Sequence, residues 1–356
     1  PYSALPDRHF WRRFVSNTPW RSIAFHDQPK FQLSHEERIA TAGSCFAQRI
    51  SEHLQRVGIT PFCTETAHPL LVEYGGNTSS YLQFSARYGN IYTARQLVEL
   101  YDQAFGLRAP ILDFTTHEGR WYDLLRPNIQ AEGFGSAQEL TADRHYHLTR
   151  VRKMFEDATT FIFTLGLTEA WVNRQTGHTY PTCPGTVRGE YDPSRHSFKN
   201  FTVTEVASDL QRLIDLLKAV NPALKLIFTV SPVPLVATNS TGNVLTASSY
   251  SKSVLRAAVG EIEAANPNVD YFPSYEIINH PASFGQYLES DLREVTQRGV
   301  THVMDCFISS YFPRPRQDQA DIDSPLACGN TSQVKALSPQ SSSLAECEEL
   351  FNEPHR

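Results

Sequence analysis

The sequence predicts an α/β fold in which helices cover both faces of a mostly parallel sheet. Two observations carry this prediction. Short runs of apolar and β-branched residues, such as "TTFIFTLG" at 159–166, have the composition of strands that are buried on both faces. Amphipathic segments with helical spacing separate these runs along the chain, and this alternation of strand and helix is typical of a parallel sheet.

The first strand and helix are predicted in "IATAGSCFAQRI" at 39–50, where a run of small residues leads into an amphipathic segment. Ile50, Leu54 and Val57 lie at helical spacing in that segment. A second helix is expected in "TARQLVELYDQAFG" at 93–106. Its apolar face comprises Leu97, Leu100, Tyr101 and Phe105.

The rest of the chain repeats the pattern. Helices are expected at 147–158, 203–222, 249–266 and 296–312. Strands are expected near Arg38, Phe161, Leu226 and Asp270, together with one or two weaker ones. Thr204 is a candidate N-cap for the helix at 203–222. The segment from Asn173 to Asn200 is polar and is interpreted as loops.

We expect one domain over residues 1–313. Residues 1–37 are rich in aromatic residues and arginine without a period, which indicates an irregular arm, and residues 106–140 resemble an insertion. Residues 314–356 are rich in Ser, Pro, Gln and acidic residues and hold one aromatic residue, Phe351. Such a composition cannot bury enough apolar surface to fold, so a disordered tail is predicted.

The composition excludes several classes of protein. The net charge is −6, from 32 basic and 38 acidic residues, so no electrostatic argument favours nucleic acid or an anionic membrane as a partner. The six cysteines are scattered, which is typical of free thiols in a reducing compartment. No transmembrane segment, metal motif or cofactor motif is recognised, so no cofactor is implied and a cytoplasmic location is expected.

Small or polar residues follow all four predicted strands. The four strand ends are Gly43-Ser44, 166–169, Ser231-Pro232 and 274–276. In a parallel sheet, functional groups collect where the strands end at their carboxyl side. The sequence therefore predicts one shared crevice at this edge of the sheet.

Ser44 is the first candidate in that crevice, because it stands between a buried strand and a helix. The N-terminus of a helix presents N–H groups that favour a developing negative charge, a geometry that suits a nucleophile. The same position also suits an ordinary helix cap. Cys45 is a rival nucleophile, although Phe46 and Ala47 indicate that this side of the helix points inward.

Further candidates come from two other segments. Gly89 and Asn90 form a turn whose amide groups could bind an oxyanion, or an ordinary Asn/Gly turn. Gly166, Thr168 and Glu169 follow the strand at 159–166, and Glu169 is either an acid–base group or a carboxylate at the start of the next element.

Five stretches resemble the GSCFA family, in the same order along the chain. They are "GSCFA" at 43–47, "TLGLTEAW" at 164–171, "TVSPVPL" at 229–235, "YSKSVLRA" at 250–257 and "YFPSYEI" at 271–277. The family resembles a branch of the SGNH/GDSL hydrolase superfamily. The resemblance implies a three-layer α/β/α sandwich with a flavodoxin-like, SGNH hydrolase-type sheet, and a site for ester hydrolysis or acyl transfer.

The superfamily has four sequence blocks, and the resemblance assigns residues to each. Ser44 corresponds to the nucleophile, Gly89 to the glycine of the oxyanion hole, and 166–169 to the third block, with Thr168 in place of an asparagine. In the fourth block, which carries the acid and the base of the triad, Asp291 fits the pattern but Glu294 occupies the histidine position.

The identity of the base therefore stays open. His147 is the first choice, because a histidine-containing segment resembles the family at this place, and His280 is the second. Glu294 could also serve as base if burial raised its pKa, or the site could be catalytically impaired.

The function predicted from the sequence is that of a serine acyl esterase or O-acyltransferase. Its substrate would be an acylated carbohydrate or another small ester. The alternative is a non-catalytic binding module that holds a glycan or acyl ligand. The sequence does not indicate an oligomeric state.

Overall fold

The computed structural model describes residues 2–312 of the chain, except 57, 75, 76 and 79. In chain order, the strands and α-helices of this part are β1 (Ile39–Gly43), α1 (Cys45–Arg56), α2 (Pro69–Glu73), α3 (Ala94–Ala104), β2 (Phe114–His117), β3 (Arg120–Asp123), α4 (Ala137–Asp157), β4 (Thr160–Leu165), β5 (Glu169–Asn173), β6 (Thr179–Tyr180), β7 (His196–Asn200), α5 (Val203–Val220), β8 (Lys225–Val230), α6 (Val244–Ala265), β9 (Val269–Tyr271), α7 (Ser274–Asn279) and α8 (Gln297–Tyr311). The predicted tail at 314–356 lies outside the described residues.

The main sheet consists of four parallel strands in the order β1-β4-β8-β9. These are the four strands that the sequence predicts. Gly43 is the register partner of Thr164, and Leu165 is the partner of Val230, so the carboxyl ends of β1, β4 and β8 lie side by side. This alignment brings the residues that follow three different strands to one edge.

Helices cover both faces of the sheet, because alternate residues of each buried strand point to opposite sides. On β4, Phe161, Phe163 and Leu165 belong to the apolar core beneath α3, α4, α5 and α6. Ile162 on the same strand belongs to a second core with α1, α7 and α8. The predicted three-layer α/β/α sandwich is therefore confirmed.

Irregular chain covers the outer edge of β1. The Phe62 N–H donates to the Ile39 carbonyl at 2.8 Å, and the Ile91 N–H donates to the Gly43 carbonyl at 2.8 Å. The one or two weaker strands expected from the sequence do not extend this sheet among the described residues. The two segments instead satisfy the free backbone groups of an edge strand, which would otherwise be open to pairing with another chain.

Two small antiparallel sheets accompany the main one. The hairpin β2–β3 lies in the predicted insertion, whose last residues form the start of α4. The second sheet has the order β6-β5-β7. Its strands β6 and β7 lie in the segment from Asn173 to Asn200 that was interpreted as polar loops, so that interpretation was wrong for these two strands. In its central strand, Ala170 and Asn173 are buried and Glu169, Trp171 and Val172 are half-buried, so the segment lacks the continuous apolar run of a central strand.

Helix α5 begins at the predicted residue, Val203, but with a different cap. Helices α4 and α6 begin earlier than predicted, and α4 starts at Ala137 instead of 147. Thr202 caps α5 in place of Thr204: its hydroxyl accepts from the Glu205 N–H at 3.3 Å, while the Glu205 carboxylate accepts from the Thr202 N–H at 2.9 Å. This reciprocal pair is a capping box, and its T-x-x-E spacing was present in the sequence. Asn243 caps α6 and starts it at Val244, ahead of the predicted 249. None of the helices in the described part of the chain is long and apolar enough to cross a membrane.

Gly43 ends β1 at the closest approach of the two strands. Its φ is 142°, and a Cβ atom there would lie 2.4 Å from the Thr164 carbonyl oxygen. A side chain at this position would need an unfavourable backbone conformation and would also force the two strands apart. Glycine is therefore required at the point where the chain leaves the sheet and enters α1.

We predict that Gly43→Ala lowers the free energy of unfolding by about 3 kcal/mol or more, because conformational strain and a backbone clash combine. Gly119→Ala is the matched control: Gly119 also has a positive φ, 75°, but no described atom lies within 4 Å of the Cβ that alanine would add. That control should cost about 1 kcal/mol. Urea denaturation measures both changes, and equal costs would contradict the proposed close contact.

Candidate active site

A cavity of about 390 Å³ opens at the carboxyl edge of the main sheet. Ser44 after β1, Gly166 after β4 and Ser231 after β8 all line it. Three of the four predicted strand ends therefore meet in one crevice. The fourth does not: the Ser274 hydroxyl is buried and donates to the Val230 carbonyl at 2.9 Å, inside the packing between β8 and α7.

Ser44 lines this cavity. It is 3% exposed, and its hydroxyl oxygen is buried without a hydrogen-bond partner among the described residues. Its N–H donates to the Thr164 carbonyl at 3.3 Å, and its own carbonyl accepts from the Ala47 N–H at 2.8 Å, which starts α1. The hydroxyl is thus not used as a helix cap, although a buried hydroxyl normally finds a partner.

Cys45, the first residue of α1, lines the same cavity and is half-buried. The sequence predicts that Cys45 points into the protein, and the half-buried side chain agrees with this prediction only in part. Ser44 and Cys45 both line this cavity, so both remain candidates on position alone.

The walls of the cavity differ in chemistry. Trp171 and Phe198, from the small sheet, stand on one side with their ring centroids 5.7 Å apart. The loop after β8 supplies an apolar wall on another side. Its lining residues are Val233, Pro234, Leu235, Val236 and Ala237.

Glu169 lines the cavity but is engaged by the loop at 238–240. Its carboxylate accepts hydrogen bonds from the Thr238 hydroxyl at 2.6 Å, the Ser240 hydroxyl at 2.8 Å and the Asn239 N–H at 3.2 Å. These bonds fasten the loop to the start of β5. The structure thus gives Glu169 a part in shaping the cavity.

Only some of the other predicted binding residues line the Ser44 cavity. Gly166 lines the cavity, but Gly89 and Asn90 line a neighbouring one of about 30 Å³. Thr168 is fully buried: its N–H donates to the Ser251 hydroxyl at 3.0 Å, and its hydroxyl donates to the Asn200 amide oxygen at 2.7 Å. Because both donors of Thr168 are already used, the structure does not place them on a substrate.

His147, the predicted base, lies outside the Ser44 cavity. It is fully buried, its Nδ1 bonds to the Glu65 carboxylate at 2.7 Å, and it lines a separate cavity of about 40 Å³ with Arg126 and Arg144. Burial lowers the pKa of His147 to about 4, against the opposing charge of Glu65. The geometry gives His147 a place in a buried charge network of the fold.

The remaining candidates for the acid and the base do not meet Ser44 either. Asp291 is exposed, and its carboxylate accepts the N–H groups of Arg293 and Glu294 at 3.0 Å each, which lowers the pKa of this carboxyl. His280 packs against Phe25 of the N-terminal arm, 5.1 Å between ring centroids, and lines a different cavity. Asp291 thus stabilises a turn. Arg293, two residues further along this turn, does line the Ser44 cavity.

Lys252 is the residue that the sequence analysis missed. It lies on α6, is 4% exposed, and its ammonium donates to the Gly166 carbonyl at 2.6 Å. Burial lowers the pKa of Lys252 to about 7, against the opposing influence of Cys45 and with a further lowering by Arg293. Two signals were present in the sequence. Lys252 has helical spacing from Ser248 and Leu255, which lie on the buried face of α6, and it belongs to the stretch at 250–257 that resembles the GSCFA family.

The described residues contain no group of three or more His, Cys, Asp or Glu side chains arranged to hold a metal ion. The fold and the site thus define an α/β sandwich protein with a buried serine that lies between its first strand and first helix and lines a cavity. The chain belongs to the GSCFA family, which matches residues 38–307. The resemblance to that family is confirmed.

No curated protein matches the chain at a significant level. Among solved structures, the chain is similar to a family 3 carbohydrate esterase of Clostridium thermocellum. The two share 10% identity and a TM-score of 0.32, and the alignment covers 76% of this chain and 93% of that chain.

The buried histidine makes stability depend on pH. The folded-state pKa of His147 is about 4, below its ordinary value of 6.5, so the unfolded chain binds a proton that the folded chain excludes between these values. The free energy of unfolding should therefore fall by about 2 kcal/mol between pH 7 and pH 5 from this group. In the His147→Gln variant, urea denaturation at several pH values should show that this part of the pH dependence of the free energy of unfolding is lost.

The control for this measurement is His145→Gln. His145 is exposed on the same helix, so its replacement should leave the slope as it is in the unmodified protein. A slope that His147→Gln does not change would contradict the burial of a neutral imidazole.

Proposed function

We propose that this protein is a serine acyl esterase or O-acyltransferase in which Ser44 is the nucleophile. The observation that carries the proposal is the Ser44 hydroxyl: it is buried, has no partner in the described part of the chain, and belongs to a residue that lines a cavity of about 390 Å³. A buried hydroxyl without a partner is costly to maintain, so its retention favours a functional role.

The N-terminus of α1 supports the same chemistry. When Ser44 attacks an ester carbonyl, negative charge develops on the carbonyl oxygen. The first turn of α1 begins at Cys45. The Ala47 N–H of this turn donates to the Ser44 carbonyl, so the backbone N–H groups of Cys45 and Phe46 are the ones that we assign to the oxyanion. Such groups stabilise an oxyanion through hydrogen bonds and through the helix dipole. Gly89, Asn90 and Thr168 are not needed for this role.

The cavity walls suit an acylated carbohydrate. Trp171 and Phe198 offer aromatic faces against which the C–H face of a sugar ring can pack, while the apolar wall from Val233 to Ala237 suits an acyl chain. The cavity volume lies in the range of small-molecule sites. A small acylated glycan or a related ester is therefore the substrate class that we propose.

Labelling with a fluorophosphonate tests the nucleophile. We expect mass spectrometry to find the label on the peptide that contains Ser44. Ser44→Ala should abolish labelling and lower p-nitrophenyl acetate hydrolysis by at least about 10³-fold, because the covalent step is lost. Cys45→Ala should keep Ser44 labelled, since the backbone N–H groups of α1 remain.

Ser309→Ala is the matched control, because Ser309 is an exposed serine on α8 whose hydroxyl bonds to the Cys306 carbonyl. It should leave labelling and hydrolysis as they are. A label on Cys45, or binding of a glycan ester without any Ser44-dependent turnover, would overturn the proposal; the second result would favour a non-catalytic binding module.

A further inference from the structure

A serine nucleophile needs a group that accepts its proton, and the described residues that line the Ser44 cavity include no histidine. Glu169 is the lining carboxylate, and three hydrogen bonds from the loop at 238–240 already engage it. The base must therefore come from a residue just behind the lining. Any assignment of that base rests on the proposed function of Ser44.

Lys252 stands immediately behind the cavity wall. Its ammonium reaches the carbonyl of Gly166 at 2.6 Å, and Gly166 itself lines the cavity. Thr164, two residues earlier in the same chain segment, has its carbonyl 3.3 Å from the Ser44 N–H. One short segment, from the end of β4 to Gly166, thus contacts both Ser44 and Lys252.

Helix α6 holds Lys252 in place. Ser251 bonds to the Thr168 N–H at 3.0 Å, and Ser248 bonds to the Leu235 N–H at 3.0 Å. These two bonds tie the start of α6 to the loops after β4 and β8. Since those loops form the cavity walls, the position of Lys252 relative to the cavity is set by several independent contacts.

We propose that Lys252 is the general base that takes the proton of Ser44, directly or through one water molecule. A fully buried lysine is rare unless it is paired with a carboxylate. The described contact of the Lys252 ammonium is instead with a carbonyl oxygen, which carries no formal charge. Such a site favours the neutral amine, the form that can accept a proton.

The electrostatic surroundings agree with this role. Burial lowers the pKa of Lys252 to about 7, Cys45 opposes the shift, and the Arg293 guanidinium adds to it. A general base is most effective when its pKa lies near the working pH. The carboxylate of Glu169 completes the charged groups at the cavity, and it is held by the loop at 238–240.

The chemical steps balance with these groups alone. The Ser44 hydroxyl passes its proton to the neutral Lys252 amine as its oxygen bonds to the ester carbon, and the carbonyl electron pair moves to the oxygen. The tetrahedral intermediate then expels the alkoxide, which takes the proton from the Lys252 ammonium and leaves as the alcohol. Water or an acceptor alcohol repeats the sequence on the acyl-enzyme and regenerates Ser44 and the neutral amine.

The competing role for Lys252 is structural, as the donor that satisfies the Gly166 carbonyl. Lys252→Arg separates the two roles, because a guanidinium keeps the charge and the donor but stays protonated. Lys252→Met is the second variant; it removes the charge while retaining a long apolar side chain. Lys218→Met is the control, since Lys218 lies half-buried on α5 and bonds to the Asn266 side chain.

The test measures the rate of Ser44 labelling by a fluorophosphonate against pH, with the melting temperature of each variant. In the unmodified protein the rate should rise about tenfold per pH unit below 7 and level off above it, because only the neutral amine accepts a proton. In the Lys252→Arg and Lys252→Met variants, the labelling rate at pH 8 should be at least about 100-fold lower, and the inflection near pH 7 should be absent. Lys218→Met should keep both.

Arg293→Gln gives an independent readout. Since Arg293 lowers the pKa of Lys252, its removal should move the inflection to higher pH. A folded Lys252→Arg variant that labels at the original rate with the original inflection would overturn the assignment of the base and leave the nucleophile in place. Absence of Ser44 labelling in the unmodified protein would instead overturn the proposed function, and the base with it.

Discussion

The close contact between β1 and β4 is the constraint on which the site depends. Gly43 approaches Thr164 so closely that a side chain would meet the Thr164 carbonyl oxygen at 2.4 Å. The chain therefore leaves β1 in a backbone conformation that favours glycine. The next residue, Ser44, lines the cavity immediately before α1 begins. The register of β1 on β4, together with that of β4 on β8, aligns the ends of the three strands, so Gly166 and Ser231 reach the cavity as well.

Most of the fold could be predicted because its signals are local. Runs such as 159–166 and the periodic stripe of α5 express buried strands and amphipathic helices within single segments. Ser44 could be predicted for the same reason, since strand, glycine and helix start are neighbours in sequence. The small sheet β6-β5-β7 escaped detection because its strands are short and mixed in polarity, and tertiary contacts decide such segments.

The base could not be predicted, because burial and distance along the chain decide it. His147 resembled a base in sequence, yet Glu65 and two buried arginines surround it in the folded chain. Lys252 resembled an ordinary helical lysine, yet it is 4% exposed and contacts Gly166, 86 residues away in sequence. Burial in the protein interior shifts the pKa of a side chain and so changes its reactivity, and the pattern of residues in the sequence does not show which side chains are buried in this way.

The most direct test of the account is a crystal structure of the protein after reaction with a fluorophosphonate. We predict a phosphonyl group on the Ser44 oxygen, with its phosphoryl oxygen toward the first turn of α1. The Lys252 nitrogen should lie within hydrogen-bond distance of the Ser44 oxygen or share one water molecule with it. An adduct on Cys45, or a Lys252 nitrogen that remains turned away from Ser44 with no bridging water, would contradict the account.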